Sequence, residues 1–412
     1  MINNLEKSLI EKTQEVTKMA IDKVLVKTFT KNLSDQTFTL RFWDGEEVKV
    51  GEGESKFNLV INKFPSKKDL LADASLALGE AYMDGDIDIE GNIQEAIESM
   101  MRNKSSFFNK STLLKIVGKL KPTSKVKAKE DIASHYDIGN DFYSLWLDET
   151  MSYSCGYFKT ENDTLYEAQM NKIHHILKKL NLKEGQSLLD IGCGWGYLLI
   201  EAAKLYKVKG LGITLSEEQY KKANERIKEE GLDDLIEVKL MDYRDLEKSG
   251  LEFDRVVSVG MAEHIGAANI PLYYKNVDAV LKQGGLFLLH NITNLIETQG
   301  NKWITTYIFP GGYVPTLREE LSIAAEHGFM TIDVESLRLH YMKTLMCWVE
   351  GFEANMDKVE KMFDQRFIRM WRMYLNSCAA GFHHWGIDIH QTLYSKGINN
   401  DLPMTRKYMY ED

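Results

Sequence analysis

The stretch SLLDIGCGWG, from Ser187 to Gly196, decides the fold of this chain. Its first half is a short apolar run, its second half places glycines at three alternate positions, and a segment with helical periodicity follows at 197–206. Glycines allow a tight turn whose backbone approaches a ligand closely, and the helix behind the turn presents unpaired N–H groups to that ligand. The pattern therefore predicts a strand, a ligand-binding turn and a helix, in that order.

The segments that follow alternate between apolar runs and helical patterns. Strands are predicted at 187–191, 208–213, 236–240, 255–259 and 286–290, and helices at 197–206 and 217–230. Such alternation favours an α/β architecture with a parallel, doubly wound sheet of the Rossmann-like type. No apolar run reaches the roughly 20 residues that a membrane-spanning helix requires, so any contact with a membrane is expected to be peripheral.

The first third of the chain reads as a smaller α+β domain. Helical patterns at 5–26, 69–83 and 94–101 surround alternating segments at 37–42, 47–50 and 57–62, and Asp44-Gly45 predicts a hairpin turn. Seven lysines and no acidic residue follow at 110–129. This basic stretch is either a solvated hinge or a contact with an anionic surface. We predict an N-terminal lipid- or partner-contacting domain at 1–120, a basic linker at 121–130 and a catalytic domain at 131–412.

The composition narrows the classes of function. The 412 residues are 44% hydrophobic and 27% charged, as in ordinary globular proteins, and the formal net charge is −10. An acidic chain of this kind is a poor match to nucleic acid, so no nucleic-acid partner is expected. The four cysteines are scattered without a C-x-x-C pair, which is typical of a reducing cytoplasm. The pair His383-His384 has no acidic or cysteine neighbour at ligand spacing, so no metal site is predicted.

The glycine-rich turn also indicates which nucleotide it binds. A dinucleotide site requires G-x-G-x-x-G and an acidic residue about 20 positions later. Here the spacing is G-x-G-x-G, the second strand ends without an acid, and Asp190 directly precedes the glycines, where it can accept hydrogen bonds from an ammonium group. This arrangement resembles the cosubstrate site of class I S-adenosylmethionine-dependent methyltransferases and favours S-adenosylmethionine over a dinucleotide.

That resemblance implies a set of cofactor-binding residues. Gln219 takes the place of the acid that many such enzymes use for the ribose, and Asp242 and Tyr243 fit the adenine position. The full set consists of Tyr153, Ser154, Asp190, Gly192, Cys193, Gly194, Gly196, Thr214, Leu215, Gln219, Asp242 and Tyr243.

A more specific resemblance comes from motifs outside the glycine turn. These motifs are HYDIGNDFY at 135–143, MSYSCGYF at 151–158, GMAEHIG at 260–266, LLHNI at 288–292, YIFP at 307–310 and YLNSCAAGF at 374–382. Over about 131–397 they resemble, in the same order, the motifs of cyclopropane-fatty-acyl-phospholipid synthases. The segment LGEAYM at 78–83 is similar to the bacterial phospholipid-acting members, whereas the related mycolic-acid cyclopropane synthases lack this N-terminal module. The resemblance therefore favours phospholipid acyl chains as the substrate.

This family resemblance implies a reaction and the residues that perform it. A methylene group passes from S-adenosylmethionine to the cis double bond of an unsaturated acyl chain, through a carbocation that a bound bicarbonate deprotonates. The implied catalytic residues are Cys155, Glu263, His290, Ile292 through its backbone, Tyr341 and Cys378. Cys378 carries the least weight because an unactivated alkene offers a thiolate no electrophilic centre. The implied partners are a phospholipid bilayer surface and a second copy in a homodimer, and the implied location is cytoplasmic and peripherally membrane-associated.

Several of these residues also have purely structural interpretations. Glu263 could cap a helix, His290 could be a satisfied histidine at a strand end, and the two cysteines could fill packing space. A carbocation favours aromatic faces and the absence of water. The aromatic candidates are Tyr153, Tyr157, Phe158, Trp303, Tyr307, Phe309 and Tyr341, each of which could equally be core.

The C-terminal third is expected to form the acyl-chain site. The apolar helical stripe at 357–385 is either core or a lipid tunnel, and Arg366, Arg369 and Arg372 are available to lipid headgroups. An insertion at about 293–344 is expected to cover the acyl chain.

Three other functions stay open at this point. The first is a class I methyltransferase that acts on an amine or a sterol. The second is a nucleic-acid methyltransferase, which the net charge of −10 opposes. The third is a non-catalytic lipid-binding protein, which the intact glycine turn opposes.

Overall fold

The structure, a computed structural model, describes residues 23–24, 26–27, 30, 36–102, 138–298, 300–384 and 386–411. The chain divides into two compact units, Met1–Ile116 with Asp364–Ala380, and Val117–Phe363 with Gly381–Asp412. The predicted linker at 121–130, the lysine-rich stretch at 110–129 and most of the helix predicted at 5–26 lie outside the described residues. The domain boundary at 121–130 therefore stays a prediction.

In the first unit, the described residues form a four-stranded sheet in the order β2–β1–β3–β4. Its elements before residue 103 are β1 (Phe38–Phe42), β2 (Glu47–Val50), β3 (Phe57–Ile61), α1 (Lys67–Ala72), α2 (Ala74–Met83), β4 (Ile87–Gly91) and α3 (Ile93–Arg102). β1 and β2 pair antiparallel across the predicted Asp44-Gly45 turn, where Gly45 has a φ of +84°. The predicted hairpin and the α+β character of this part of the chain are confirmed.

Two features of this unit differ from the prediction. The helix predicted at 69–83 is interrupted at Asp73, whose backbone is extended and whose side chain accepts a hydrogen bond from Leu76 N, so that it caps α2. β4 was not predicted because acidic residues alternate with its apolar ones. It is an edge strand, where charged side chains such as Glu90 remain in solvent and discourage pairing with other chains.

The second unit contains a seven-stranded sheet within the described residues, in the order β10–β11–β9–β8–β5–β6–β7. The strands are β5 (Ser187–Ile191), β6 (Lys209–Thr214), β7 (Ile236–Leu240), β8 (Phe253–Val259), β9 (Leu281–Asn294), β10 (Phe329–Ser336) and β11 (Ile387–Lys396). Strands β5 to β9 are parallel to one another, which confirms the predicted doubly wound α/β fold. The chain runs outward from β5 to β7 and then returns to β8 on the other side of β5, so the crevice for a ligand opens at the carboxyl end of β5.

The far side of this sheet was not predicted. β11 pairs antiparallel with both β9 and β10, and β9 continues four residues beyond the predicted end at 290. The segment 293–344 is therefore not an insertion, because it contains β10, which belongs to the sheet. β10 and β11 mix polar with apolar residues, so their sequences carry a weaker strand signal than the apolar runs of β5 and β8.

The helices of this unit surround the sheet. The α-helices that begin after residue 138 are α4 (Asn140–Tyr143), α5 (Leu165–Lys179), α6 (Tyr197–Tyr206), α7 (Glu217–Glu229), α8 (Ile270–Val280), α9 (Lys302–Tyr307), α10 (Leu317–Glu326), α11 (Arg338–Ala354), α12 (Met356–Met362), α13 (Gln365–His384), which extends into both units, and α14 (Lys407–Tyr410). Short 3₁₀ helices occupy Tyr243–Lys248, Ala262–His264 and Ala267–Asn269. None of the helices in the described part of the chain has the length and hydropathy that crossing a bilayer requires.

The segment Asp364–Ala380 groups with the first unit, although the sequence placed it in the catalytic domain at 131–412. Two arginines of α13 explain this grouping. Arg369 donates to the carbonyl oxygen of Ile87 at 2.9 Å and to Asp88 Oδ1 at 3.0 Å, and Arg366 Nε donates to Asp84 Oδ1 at 2.8 Å. Two of the three arginines that the sequence made available to lipid headgroups therefore form hydrogen bonds with the acidic segment around β4. Trp371 and Tyr374 are buried, so this part of the apolar stripe is core.

Both faces of the seven-stranded sheet are buried. Leu288 on β9 packs in one hydrophobic cluster with residues of α5 and α6, and Leu289 packs in a second cluster with residues of α8. Both leucines are at most 1% exposed. A parallel strand covered on both faces is expected to read as a continuous apolar run, as β9 does at 286–289.

This packing predicts a large difference between two leucines of the same segment. Leu288→Ala should lower the free energy of unfolding by about 2–5 kcal/mol, because it leaves a cavity between sheet and helices. Leu295→Ala is the matched control, since Leu295 is 79% exposed and should change stability by no more than about 0.5 kcal/mol. Chemical denaturation followed by tryptophan fluorescence measures both values. Equal effects of the two substitutions would contradict the described packing.

Candidate active site

A cavity opens at the carboxyl ends of β5, β6 and β8, where the sheet topology places the ligand crevice. Eleven of the twelve predicted cofactor-binding residues line it. The exception is Gly196, which lies at the N-cap of α6 with a φ of +81°. The cavity wall also includes Met151 and Ser152, the first two residues of the MSYSCGYF motif, and Thr150, which directly precedes it. The structure therefore brings the predicted set together around one crevice.

Two glycines of the turn have different local surroundings. Gly192 has a φ of +85°, and a Cβ atom there would lie 2.7 Å from Met261 Cγ. Within the described part of the chain, a Cβ atom at Gly194 would have no neighbour closer than 4 Å. The first glycine thus allows the turn to pass close to the loop after β8, and the next leaves its backbone open to a ligand.

Asp190 is a buried carboxylate at the end of β5. It is 3% exposed, and its Oδ1 atom has no hydrogen-bond partner among the described residues. Burial raises the pKa of Asp190 to about 7, and Lys172 counters this effect in part. A buried, incompletely bonded carboxylate in a ligand cavity suits an incoming ammonium group, such as that at the amino-acid end of S-adenosylmethionine.

Polar groups for the nucleoside lie on the other side of the turn. Thr214 Oγ1 donates to Gln219 Oε1 at 2.8 Å, which leaves the NH₂ group of Gln219 available to a ribose hydroxyl. Asp242 accepts hydrogen bonds from the backbone and the guanidinium of Arg244, at 2.9 Å and 2.8 Å for the backbone N and Nε. Arg244 was not predicted, and it holds Asp242 at the cavity wall.

Glu263 lies in the 3₁₀ helix that follows β8, and His290 lies on the neighbouring strand β9, in register with Val259 at the end of β8. Glu263 Oε1 accepts a hydrogen bond from Ile292 N at 2.8 Å, and Gly260 N donates to the carbonyl oxygen of His290 at 2.8 Å. Met261 and His264, on either side of Glu263, line the cavity. Glu263 and His290 do not themselves line the described cavity, but Glu263 lies between two residues that do, and His290 is in register with Val259, which lines it as well.

Each of these two residues keeps one buried atom without a partner in the described structure, namely Oε2 of Glu263 and Nε2 of His290. Burial raises the pKa of Glu263 to about 7. Burial also holds the pKa of His290 well below its usual range, so its imidazole is neutral. When the amide nitrogen of Gln391 donates to Nδ1 of His290, at 3.1 Å, the ring proton resides on Nε2. The pair then offers one acceptor and one donor to a ligand.

The remaining predicted catalytic residues have different surroundings. The N–H of Ile292 is occupied by Glu263, so in this structure it positions that carboxyl. Cys155 is fully buried, its Sγ donates to the carbonyl oxygen of Gly156 at 3.2 Å, and burial raises the pKa of its thiol. Cys378 is half-buried, belongs to the first unit and does not line the cavity. Burial raises its pKa to about 12, which opposes a thiolate at neutral pH.

A continuous row of aromatic rings begins at the cavity wall. Tyr153 lines the cavity, its ring centroid lies 5.1 Å from that of Trp348, and Trp348 in turn lies 5.9 Å from Tyr341. Trp348 was not singled out by the sequence because its helix, α11, shows no amphipathic pattern that sets it apart.

The other aromatic candidates pack elsewhere. Tyr157 is stacked between the rings of His175 and His340, with centroid distances of 4.4 Å and 4.8 Å. Phe158, Trp303, Tyr307 and Phe309 are likewise absent from the residues that line the described cavity.

Lys172 is another cavity residue that the sequence prediction missed. It lies on α5, is 3% exposed and lines the same wall as Asp190. A signal was present, since Ala168, Lys172, Ile176 and Leu180 follow one another at four-residue spacing and all are buried. A lysine in the middle of an apolar helix face is rarely buried without a partner or a function.

The fold and the cavity together define a class I S-adenosylmethionine-dependent methyltransferase. Residues 123–392 match the family model described as mycolic acid cyclopropane synthetase, and the chain belongs to that family. Residues 25–112 match a second model, described only as a domain of unknown function.

Named relatives agree with this assignment. The chain is 40% identical over 345 residues to the cyclopropane-fatty-acyl-phospholipid synthase of Escherichia coli K12, a match that covers 82% of this chain and 88% of that protein. It is 40% identical over 382 residues to a probable fatty acid methyltransferase of Pseudomonas putida, covering 90% and 95%. The crystal structure of mycolic acid cyclopropane synthase CmaA1 complexed with SAH and CTAB is 33% identical, has a TM-score of 0.62, and aligns with 68% of this chain and 100% of its own.

The geometry of the turn predicts a difference between two glycines with similar backbone angles. Gly192→Ala should weaken the binding of S-adenosylhomocysteine about tenfold or more, because the new methyl group displaces Met261 from the cavity wall. Gly185→Ala is the matched control, since Gly185 has a φ of +78° but, among the described residues, no atom lies within 4 Å of its Cβ position. Only the backbone strain, about 1 kcal/mol, is expected there. Titration calorimetry decides between them, and equal binding by both variants would contradict the predicted effect.

Proposed function

We propose that this protein is a cyclopropane-fatty-acyl-phospholipid synthase, which transfers a methylene group from S-adenosylmethionine to the cis double bond of unsaturated phospholipid acyl chains. The observation that carries this proposal is the pair Glu263 and His290, each of which keeps a buried atom without a partner in the described structure. Met261 and His264 flank Glu263, Val259 is in register with His290, and all three of these neighbours line the cosubstrate cavity. Amine methylation needs no buried proton acceptor for a carbon-bound hydrogen, whereas ring closure does. The match to the Escherichia coli synthase supports the lipid substrate.

The overall reaction sets the requirements on the site. When bound, S-adenosylmethionine supplies an electrophilic methyl group. The methyl carbon loses its bond to sulfur, gains bonds to both alkene carbons and gives up one proton, so that the products are a cyclopropane, a thioether and H⁺. The site must therefore exclude water, stabilise positive charge on the acyl chain and accept a proton.

The aromatic row of Tyr153, Trp348 and Tyr341 serves to stabilise positive charge on the acyl chain. Faces of Tyr153, Trp348 and Tyr341 attract a cation through their quadrupoles without providing a nucleophile that would trap it. Trp348 is fully buried and Tyr341 is 9% exposed, so the row is shielded from bulk water. This shielding favours loss of a proton over addition of water.

We further propose that bicarbonate is the proton acceptor and binds at Glu263 and His290. Their free atoms fit such an anion, because the Glu263 carboxylate accepts from the hydroxyl of bicarbonate and the Nε2–H of neutral His290 donates to one of its oxygens. Cys155 and Tyr341 are further candidate ligands, and Ile292 holds Glu263 in place.

Peripheral contact with a membrane is part of the proposal. Leu295 and Ile296 follow β9 directly and are 79% and 51% exposed. An apolar pair a few residues from His290 suits contact with a bilayer from which the acyl chain is drawn. The homodimer implied by the family resemblance stays a prediction.

Labelled lipid vesicles test the proposed function. Purified protein is given S-adenosylmethionine with an isotopically labelled methyl group and vesicles of dioleoyl phospholipids. We expect acyl chains to gain the mass of one CH₂ group and to keep that mass under mild hydrogenation, since a ring resists it and an alkene does not. Mass spectrometry of the lipids reads both results.

The controls separate the open alternatives. Vesicles of saturated phospholipids should gain no label. Label on a headgroup amine or a sterol would identify the alternative methyltransferase and overturn the proposal. A product that takes up hydrogen would show methyl transfer without ring closure.

Glu263→Gln tests the group that is proposed to bind the proton acceptor. The variant should lower turnover about 100-fold or more, with little change in cosubstrate affinity, because Gln still accepts from Ile292 N but lacks the charge. The carboxyl is ionised above its pKa of about 7, so the wild-type rate should fall as pH falls through about 7. In the variant the midpoint of this fall should move away from pH 7. Rates across a pH series and calorimetry provide the two readouts.

Bicarbonate depletion completes this test. Removing dissolved carbonate should slow the wild type, adding it back should restore the rate, and Glu263→Gln should respond little. Glu326→Gln is the control variant, since Glu326 is exposed at the end of α10. Equal losses of turnover and cosubstrate affinity in Glu263→Gln would contradict the proposed role.

A further inference from the structure

Lys172 is a buried cation that the proposed chemistry leaves without a role. It lies on α5, is 3% exposed and lines the cosubstrate cavity together with Asp190 and Ser154. Its neighbours at four-residue spacing on the helix, Ala168 and Ile176, are fully buried apolar residues. The position would accept an apolar side chain, so packing by itself does not explain a lysine there.

The ammonium group of Lys172 is poorly satisfied by the protein. Its Nζ donates to Ser154 Oγ at 3.1 Å, and within the described residues no carboxylate oxygen lies at ion-pair distance from it. An ammonium group has three N–H donors, so two are left for another acceptor. Burial lowers the pKa of Lys172 to about 8. Electrostatic interactions with Asp148, Cys155 and Asp190 raise this pKa and offset the effect of burial only in part. A buried charge with this few partners is costly unless a ligand completes its shell.

The nearby carboxylates do not complete that shell. Asp148 has the largest electrostatic effect on Lys172, but its oxygens accept hydrogen bonds from the backbone N and the Oγ1 of Thr150, at 3.0 Å and 2.9 Å. Asp190 acts on Lys172 more weakly and keeps its Oδ1 atom free. Lys172 and Asp190 therefore give this part of the cavity wall a positive and a negative group, each with unused hydrogen-bonding capacity.

The amino-acid end of S-adenosylmethionine has the complementary pair of charges, an α-carboxylate and an α-ammonium group. We propose that Lys172 binds the α-carboxylate of the cosubstrate, while Asp190 receives the α-ammonium group. Ser154 Oγ orients the lysine and is a second donor for the same carboxylate. This inference rests on S-adenosylmethionine being the cosubstrate and does not depend on the lipid that is modified.

The assignment is tested by removing the charge of the lysine and, separately, the carboxylate of the ligand, and by comparing the binding affinities of the four combinations. The variant is Lys172→Met, which has similar length and no charge, and the ligands are S-adenosylhomocysteine and its decarboxylated analogue. We expect Lys172→Met to weaken S-adenosylhomocysteine roughly 10- to 100-fold, the size of one charged hydrogen bond, and the decarboxylated ligand by less than about threefold. Lys178→Met, on the same helix but outside the cavity, should change neither affinity. Titration calorimetry gives all the constants.

The thermal stability of the ligand-free protein is an independent readout. Because the substitution removes a poorly satisfied buried charge, Lys172→Met should raise the unfolding midpoint of the ligand-free protein. A lysine that serves only the fold would give a lower midpoint. A lower midpoint together with equal weakening of both ligands would overturn the proposal.

The wild-type protein provides a test that needs no variant. Above pH 8 the lysine of the ligand-free protein loses its proton, whereas the neighbouring Asp190, with a pKa of about 7, is already ionised. The preference for S-adenosylhomocysteine over the decarboxylated analogue should therefore decline as pH rises from 7 to 9. A preference that is constant over this range would contradict the assignment. If both ligands behave as expected but vesicles gain no label, the lipid proposal fails and the assignment of Lys172 stands.

Discussion

The place of β5 at the centre of the parallel sheet is the constraint on which the rest of the site depends. Asp190, near the end of this strand, is in register with Gly212 on β6 and Val257 on β8, so its backbone is held from both sides. The chain then leaves through a turn in which Gly192 lies against Met261. The crevice at this edge is therefore a product of sheet packing, and strands rather than mobile loops place the groups that bind the cosubstrate.

Buried ionisable groups collect at this edge. Desolvation moves the pKa of Asp190 and of Glu263 to about 7 and that of Lys172 to about 8. Each of these groups keeps hydrogen-bonding capacity that the described protein does not use. Such an arrangement destabilises the ligand-free fold and is offset when ligands of matching charge bind, which is why strongly shifted groups mark functional sites.

Much of the fold could be predicted because its signals are local. The apolar run at 187–191, the glycine turn and the alternation that follows require no knowledge of distant contacts, and β5 to β8 lie close to their predicted bounds. β10 and β11 were missed because they are stabilised by pairing with β9, which a sequence pattern does not display. The segment Asp364–Ala380 was misplaced for a similar reason, since Arg366 and Arg369 bind acidic residues almost 300 positions earlier in the chain.

The sequence by itself determined the fold class, the S-adenosylmethionine turn and the identity of Glu263 and His290 as candidate catalytic groups. The fold class and the turn follow from glycine spacing and from the alternation of strands and helices, whose physical basis lies within a few residues. Glu263 and His290 were implied by the resemblance of short motifs to those of a known family. Only the tertiary structure decided that Ile292 positions Glu263, that Trp348 joins Tyr153 to Tyr341, and that Lys172 faces the cosubstrate cavity. These facts depend on which distant side chains share a buried space, and burial is a property of the packed chain as a whole.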